Sequence, residues 1–135
     1  MNMKWNCEEI NERFAKENGY VKKNRIEITD VSEGYAKGRI ELELSDNNPF
    51  GYVHGGCLFT LADTVGGIAA MTYGQMVTTI SAQVHYLNQA RDTKYIEART
   101  KEIKNGRTTS IYEVEITDQM NKTIAMFTLT YFKLV

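Results

Sequence analysis

The sequence predicts an α+β domain, an antiparallel sheet of five or six strands packed on one buried helix. Three observations carry that expectation. Residues 54–73 are apolar on nearly every side at helical spacing, as in a helix buried all round. Runs of period-2 alternation lie before and after that stretch. The 135 residues, 42% hydrophobic and 24% charged, suffice for one core, so residues 1–135 read as a single domain, and they exclude a disordered chain or a coiled coil.

The first element is an amphipathic helix within residues 1–19. Asn6 stands as its N-cap, and Glu9 three residues on completes a capping-box pattern. Ile10 and Phe14 are spaced i, i+4, and Gly19 is the expected C′ stop. A strand around residues 25–31 then turns near Ser32-Glu33-Gly34 into a second. There Ala36, Gly38, Ile40, Leu42 and Leu44 share one face, while Tyr35, Lys37, Arg39, Glu41 and Glu43 share the solvated one. Ser45 to Gly51 is loop by composition.

The central helix is expected over residues 54–73. Leu58, Leu61, Ala62, Val65, Ala69 and Thr72 fall on one face, and Gly56, Phe59, Asp63, Gly66, Gly67 and Ala70 on the other. A glycine inside a helix costs about 1 kcal/mol relative to alanine. Close approach of another backbone or a ligand would explain that cost here. Three extended segments follow: residues 77–88, residues 94–103, and a pair formed by 108–117 and 123–134. Asn105-Gly106 predicts a tight turn before that pair, and Gln119 to Lys122 a turn within it. So apolar a helix in so short a chain predicts a homo-oligomer.

Lys+Arg 16 against Asp+Glu 17 leaves a net charge of -1. That balance argues against a nucleic-acid partner, which needs a basic face. No window reaches the ~18 apolar residues of a membrane span, and the charged first ten residues lack the apolar segment of a secretory signal. Two cysteines, Cys7 and Cys57, are too few for a disulfide scaffold. The expectation is a reduced, soluble, cytoplasmic domain without a membrane partner.

One residue stands apart. Between Asp46 and Arg91 the only charged side chain is Asp63, within the apolar helix. Burying a lone carboxylate costs several kcal/mol, about the scale at which such groups are either paired or functional. Asp63 is therefore a reactive acid or a carboxylate satisfied by a distant partner. His54-Gly55-Gly56 precedes the same helix, whose first N–H groups lack intrahelical acceptors and suit developing negative charge. A helix start and a carboxylate together suggest attack on a carbonyl. Cys57, three residues after His54, invites a Cys–His nucleophile, but a buried cysteine is more often inert packing. His54, Cys57, Asp63 and His85 have no recognised zinc spacing, so no metal site is expected. Lys104 and Arg107 flank Asn105-Gly106, as a solvated hairpin tip or as a phosphate contact.

Asn48-Pro49-Phe50-Gly51-Tyr52-Val53-His54-Gly55-Gly56, followed by Leu58-Phe59-Thr60-Leu61-Ala62-Asp63, resembles the hotdog-fold acyl-CoA thioesterases of the PaaI type, the phenylacetic-acid-degradation group. The resemblance runs from about Gly34 to the C-terminus. It implies a hotdog fold, an antiparallel sheet wrapped around the central helix. It further implies protomers joined sheet to sheet, a dimer of dimers, and active sites at the protomer interface. Asp63 would then be base or nucleophile, and the Gly55 N–H would polarise the thioester carbonyl. Asn48 and His54 would hold the thioester end from the other protomer. Thr79, or alternatively Ser81, would supply the hydroxyl that positions water with the acid. Lys104, Gly106 and Arg107 would meet the nucleotide of coenzyme A, which is part of the substrate, so that no cofactor is implied. A non-catalytic acyl-CoA binder or sensor on the same fold would lack the acid. A hotdog hydratase would place Asp and His close together, whereas Asp63 lies nine residues after His54. Phe59, Met71, Tyr73 and Met76 read as an acyl tunnel or as ordinary core, and leave the acyl group unassigned.

Overall fold

In the computed structural model, which describes residues 5–17 and 19–134, the chain forms one six-stranded antiparallel sheet and one long helix laid across it. Helices α1 (Cys7–Lys16) and α2 (Tyr20–Lys23) precede strands β1 (Glu27–Ser32) and β2 (Tyr35–Glu41). Helix α3 (Gly55–Met71) follows, then β3 (Val77–Tyr86), β4 (Tyr95–Asn105), β5 (Thr109–Asp118) and β6 (Thr123–Lys133). The spatial order is β1-β2-β4-β5-β6-β3, so the strand that leaves α3 crosses to the far edge of the sheet.

Asn6 caps α1 as expected, its side chain accepting from the Glu9 N–H at 2.9 Å. Ile10 of that helix is fully buried. The expectation for residues 1–19 needs two corrections. Residues 1–4 and 18 lie outside the described residues, and the helix ends at Lys16. Gly19 is not a left-handed stop but the extended N-cap of α2, at φ −123°. Asn11 docks α1 on edge strand β1: its amide donates to the Ile28 carbonyl and its oxygen accepts the Ile28 N–H, both at 2.8 Å. This pairing and the irregularity between Ile28 and Asp30 blunt that edge against further strand addition.

In β2 the inward face is Ala36, Gly38 and Ile40, all buried. The strand stops at Glu41, and Leu44, expected inside, is 89% exposed. A 3-10 turn over Leu44–Asp46 bends the chain away, because the Asp46 carboxylate accepts the Glu43 N–H at 2.9 Å and pairs with Arg25. Asp46 is buried, and its main-chain oxygen accepts the His54 N–H at 2.8 Å, so this turn also fixes the entry to α3. At Gly38 a Cβ would lie 2.9 Å from both the Glu27 carbonyl and Val65, which is how closely α3 rests on the sheet.

Helix α3 buries Leu58, Leu61, Ala62, Val65, Ile68 and Ala69, and Gly66, Gly67 and Ala70 beside them, so it is enclosed on most sides as its composition predicts. The last four strands match their expected segments to within three residues at each end. One turn differs. An Asn-Gly hairpin turn requires positive φ at both residues, and neither Asn105 nor Gly106 has it. Asn105 instead stays in β4 opposite Ser110, and the loop is residues 106–108. Gly106 is needed for proximity: its N–H donates to the Thr109 carbonyl at 2.8 Å, and a Cβ would meet that same oxygen at 2.8 Å.

Strand β3 is the other edge. It pairs only with β6, and most of its side chains on both faces are exposed, including Ile80 at 56% and Tyr86 at 53%. Among the described residues no helix docks on its outer edge as α1 docks on β1. None of the described helices is long and apolar enough to cross a membrane.

Candidate active site

Asp63 lies in the third turn of α3 and is half-buried, not sealed in the core as the sequence suggested. Nor is it alone. The Thr79 hydroxyl of β3 donates to its Oδ1 at 2.7 Å. The Tyr131 phenol of β6 donates to its main-chain oxygen at 3.1 Å and lies 3.4 Å from Oδ1. Oδ2 has no hydrogen-bond partner among the described residues. Its partners are hydroxyls rather than a cation, and they come from strands 16 and 68 residues away. Of the two candidate hydroxyls, Thr79 makes the contact. β3 is irregular between Thr79 and Ser81, and Ser81 stands beyond that point, opposite Thr130.

The start of α3 forms a second group. His54 is the N-cap, and its Nδ1 accepts the Gly56 N–H at 2.8 Å. The Cys57 N–H reaches the His54 carbonyl at 2.9 Å. The Gly55 N–H has no acceptor among the described residues, so it is the donor the helix start leaves open. It adjoins a cavity of about 210 Å³ lined by Asn48, Tyr52, Val53, Gly55, Leu58 and Tyr86. The Asn48 oxygen is committed to the loop, accepting from Phe50 at 3.0 Å and Tyr52 at 3.1 Å, which leaves its amide N–H groups as donors. Tyr86 walls this cavity, its hydroxyl 3.3 Å from the Gly55 carbonyl.

The two groups do not meet within one chain. Gly55 and Asp63 are eight residues apart on one helix, about 12 Å along its axis. One substrate carbonyl cannot touch both on a single copy.

Burial, and then the Asp46 charge, push the Cys57 thiol up to about 11. A thiol so raised is no nucleophile near neutral pH, and the His54 nitrogen that could have activated it is occupied by Gly56. His85 is exposed on β3, opposite Met126. Among the described residues no cluster of three or more His, Cys, Asp or Glu side chains forms a ligand set.

Lys104 and Arg107 are exposed at the β4–β5 tip, and neither makes an ion pair among the described residues. Sequence reasoning missed the third cation there. Lys133 of β6 donates from Nζ to Asn105 Oδ1 and to the Gly106 carbonyl, both at 2.6 Å, and so braces the tip. It is two residues from Tyr131, which sets the tip at the Asp63 end of the site. Tyr131 and Tyr86 were missed as well. Their one visible signal was a hydroxyl-bearing ring in a run otherwise suited to a core face. Of the tunnel candidates, Phe59 packs edge-on against Phe127 at 5.6 Å, and Tyr73 donates to Glu102 at 2.6 Å.

The sequence profile of the thioesterase superfamily matches residues 50–125, more than half of the chain. Acyl-coenzyme A thioesterase PaaI of Escherichia coli is 28% identical over 102 residues, 76% of this chain and 73% of that protein. The solved E. coli PaaI structure superposes with a TM-score of 0.86 over 93% of this chain and 91% of that one, at 24% identity, a likeness of fold. A Streptococcus pneumoniae protein described as a hypothetical thioesterase, solved with coenzyme A, is 28% identical with a TM-score of 0.76, over 80% of this chain and 87% of that one. The sheet-and-helix architecture is the hotdog fold, and the chain belongs to the thioesterase superfamily.

Proposed function

We propose that this chain is an acyl-CoA thioesterase that releases free acid and coenzyme A at sites shared between two copies. The observation that carries this reading is the Asp63 carboxylate, held on Oδ1 by Thr79 at 2.7 Å with Oδ2 open, on the helix that also presents the free Gly55 N–H. The thioester oxygen accepts from Gly55, where the helix dipole favours the charge that develops on it. Asp63 Oδ2 takes a proton from a water whose oxygen attacks the carbonyl carbon. The tetrahedral intermediate then expels the thiolate of coenzyme A, which recovers that proton. Asn48 donates its amide, and His54 holds the helix start in place. Lys104, Gly106 and Arg107 contact the coenzyme A nucleotide, as the relative solved with coenzyme A makes reasonable.

The separation of Gly55 from Asp63 is what requires a second copy. β3 is an open, partly apolar edge ready to pair with another strand. Antiparallel pairing of β3 with itself about its middle sets Thr79 opposite Val84 of the partner subunit. That is two residues from Tyr86 of the partner subunit, the side chain that touches Gly55 in its own chain. Each acid thus comes beside the other copy's helix start, and a dimer of such dimers completes the assembly. The free thiols Cys7 and Cys57 suit the reducing cytoplasm.

The test is release of free thiol from a panel of acyl- and aryl-acyl-CoAs by the native chain and by Asp63→Asn. We expect kcat to fall by about 10²–10⁴, the scale of general-base catalysis, with the melting temperature preserved. A fully active Asp63→Asn chain would refute the reading.

A further inference from the structure

Tyr131 has no part in the reaction just described, yet the packing around it is built for it. Its side chain is 1% exposed, on the face of β6 that meets α3. Gly66, one turn beyond Asp63, is the opening through which the phenol reaches the helix. A Cβ on Gly66 would collide with the Tyr131 hydroxyl first, and would crowd Leu129 at 3.1 Å and Val114 at 3.3 Å less severely. A glycine inside a helix is costly, and here the atom that enters the space it leaves most deeply is a polar one. That atom's single proton is shared between the main-chain oxygen of Asp63 at 3.1 Å and its Oδ1 at 3.4 Å. The ring cannot drift, because Tyr112, itself fully buried, packs against it edge-on at 6.2 Å and anchors its own hydroxyl on Glu102 at 3.1 Å.

We propose that Tyr131, admitted by Gly66, is a positioning residue for Asp63: it holds the carboxylate with Oδ1 turned inward and Oδ2 presented to water and substrate. The proposal rests on Asp63 being the reactive acid. With Thr79 it gives Oδ1 two hydroxyl neighbours from two different strands, which restricts the side-chain torsions that a lone donor would leave freer. Burial and the neighbouring Asp63 charge push the phenol well above its ordinary value, so it keeps its proton and remains a donor.

The experiment compares Tyr131→Phe, Gly66→Ala and their double variant by steady-state thiol release and thermal melting. Tyr131→Phe keeps the ring and removes only the hydroxyl. It should lower kcat by about fivefold, the loss of roughly one shared hydrogen bond, with KM and melting temperature nearly unchanged. Gly66→Ala keeps the tyrosine but forces its hydroxyl off Asp63, and should lower kcat by a similar factor. In the double variant the two losses should not multiply, because the methyl displaces a hydroxyl that is no longer there. An unchanged kcat in Tyr131→Phe overturns the proposal, as does a loss that appears in KM alone or multiplies fully in the double variant. If Tyr131→Phe fails to fold, the kcat of Gly66→Ala decides alone. An inactive Asp63→Asn beside a fully active Tyr131→Phe would remove this inference and leave the function standing. A fully active Asp63→Asn would remove both.

Discussion

Thr79 shows how much a single hydroxyl does at this site. It stands next to an irregularity in an edge strand and makes the shorter of the two side-chain contacts to Asp63 Oδ1. Replacing it with valine preserves shape and removes the donor. Thr79→Val should lower kcat about tenfold with little change in KM, and Thr79→Ser should recover most of that loss. Ser81→Ala should leave the rate unchanged, since Ser81 lies past the irregularity. Steady-state kinetics on one acyl-CoA would check all three. The contrast with Cys57 is instructive. It sits in the first turn of the same helix, yet burial beside Asp46 raises its thiol to about 11 and makes it packing. Neighbours in space, not residue type, separate the proposed reactive group from the inert one.

At the scale of elements, α3 and the β4–β5 hairpin do different work. The helix offers an uncapped N–H at one end and an acid in its third turn, and its rigidity keeps them about 12 Å apart. The hairpin tip carries Lys104 and Arg107 into solvent, and Lys133 stiffens it with two bonds of 2.6 Å. Exposed cations on a braced loop suit the proposed role in affinity rather than in chemistry. Lys104→Ala with Arg107→Ala should raise KM, flatten its dependence on salt and leave kcat nearly unchanged. An unchanged KM across a salt series would make the tip a solvated turn. The sheet edges divide the labour in the same way. β1 is closed by the two bonds from Asn11, and β3 is left open, the edge on which the proposed assembly would form.

For the whole molecule, the proposed shared site would make activity a property of the assembly. Neither Asp63→Asn nor Asn48→Ala chains alone would carry an intact site. Mixed and reassembled, half of the resulting dimers would pair one of each, and each such dimer would hold one complete site of two. Activity should return to about a quarter of the native value, from a two-fold interface that combines unlike copies at random. Sites contained within single chains would give no recovery on mixing. Light scattering on the native protein should show an oligomer at micromolar concentration, and a stable monomer would exclude the shared site.

The sequence by itself determined the fold class, the order of the elements and most of their bounds. These depend on local periodicity, on caps such as Asn6 and on the apolar run of α3, all written within a few residues. It also singled out Asp63 and His54-Gly55-Gly56, because a lone charge in an apolar stretch is visible without any partner. It misjudged Leu44, whose place in the alternation was overruled by the Asp46 turn, and the Asn105-Gly106 turn, which depends on how β4 pairs with β5. The family resemblance named Thr79 or Ser81 beside the acid, but only the tertiary structure chose Thr79 and brought in Tyr131. Thr79, Tyr131 and Lys133 reach their partners across 16, 68 and 28 residues of chain. Contacts of that separation arise from strand register and helix placement, and no local pattern in the chain encodes them.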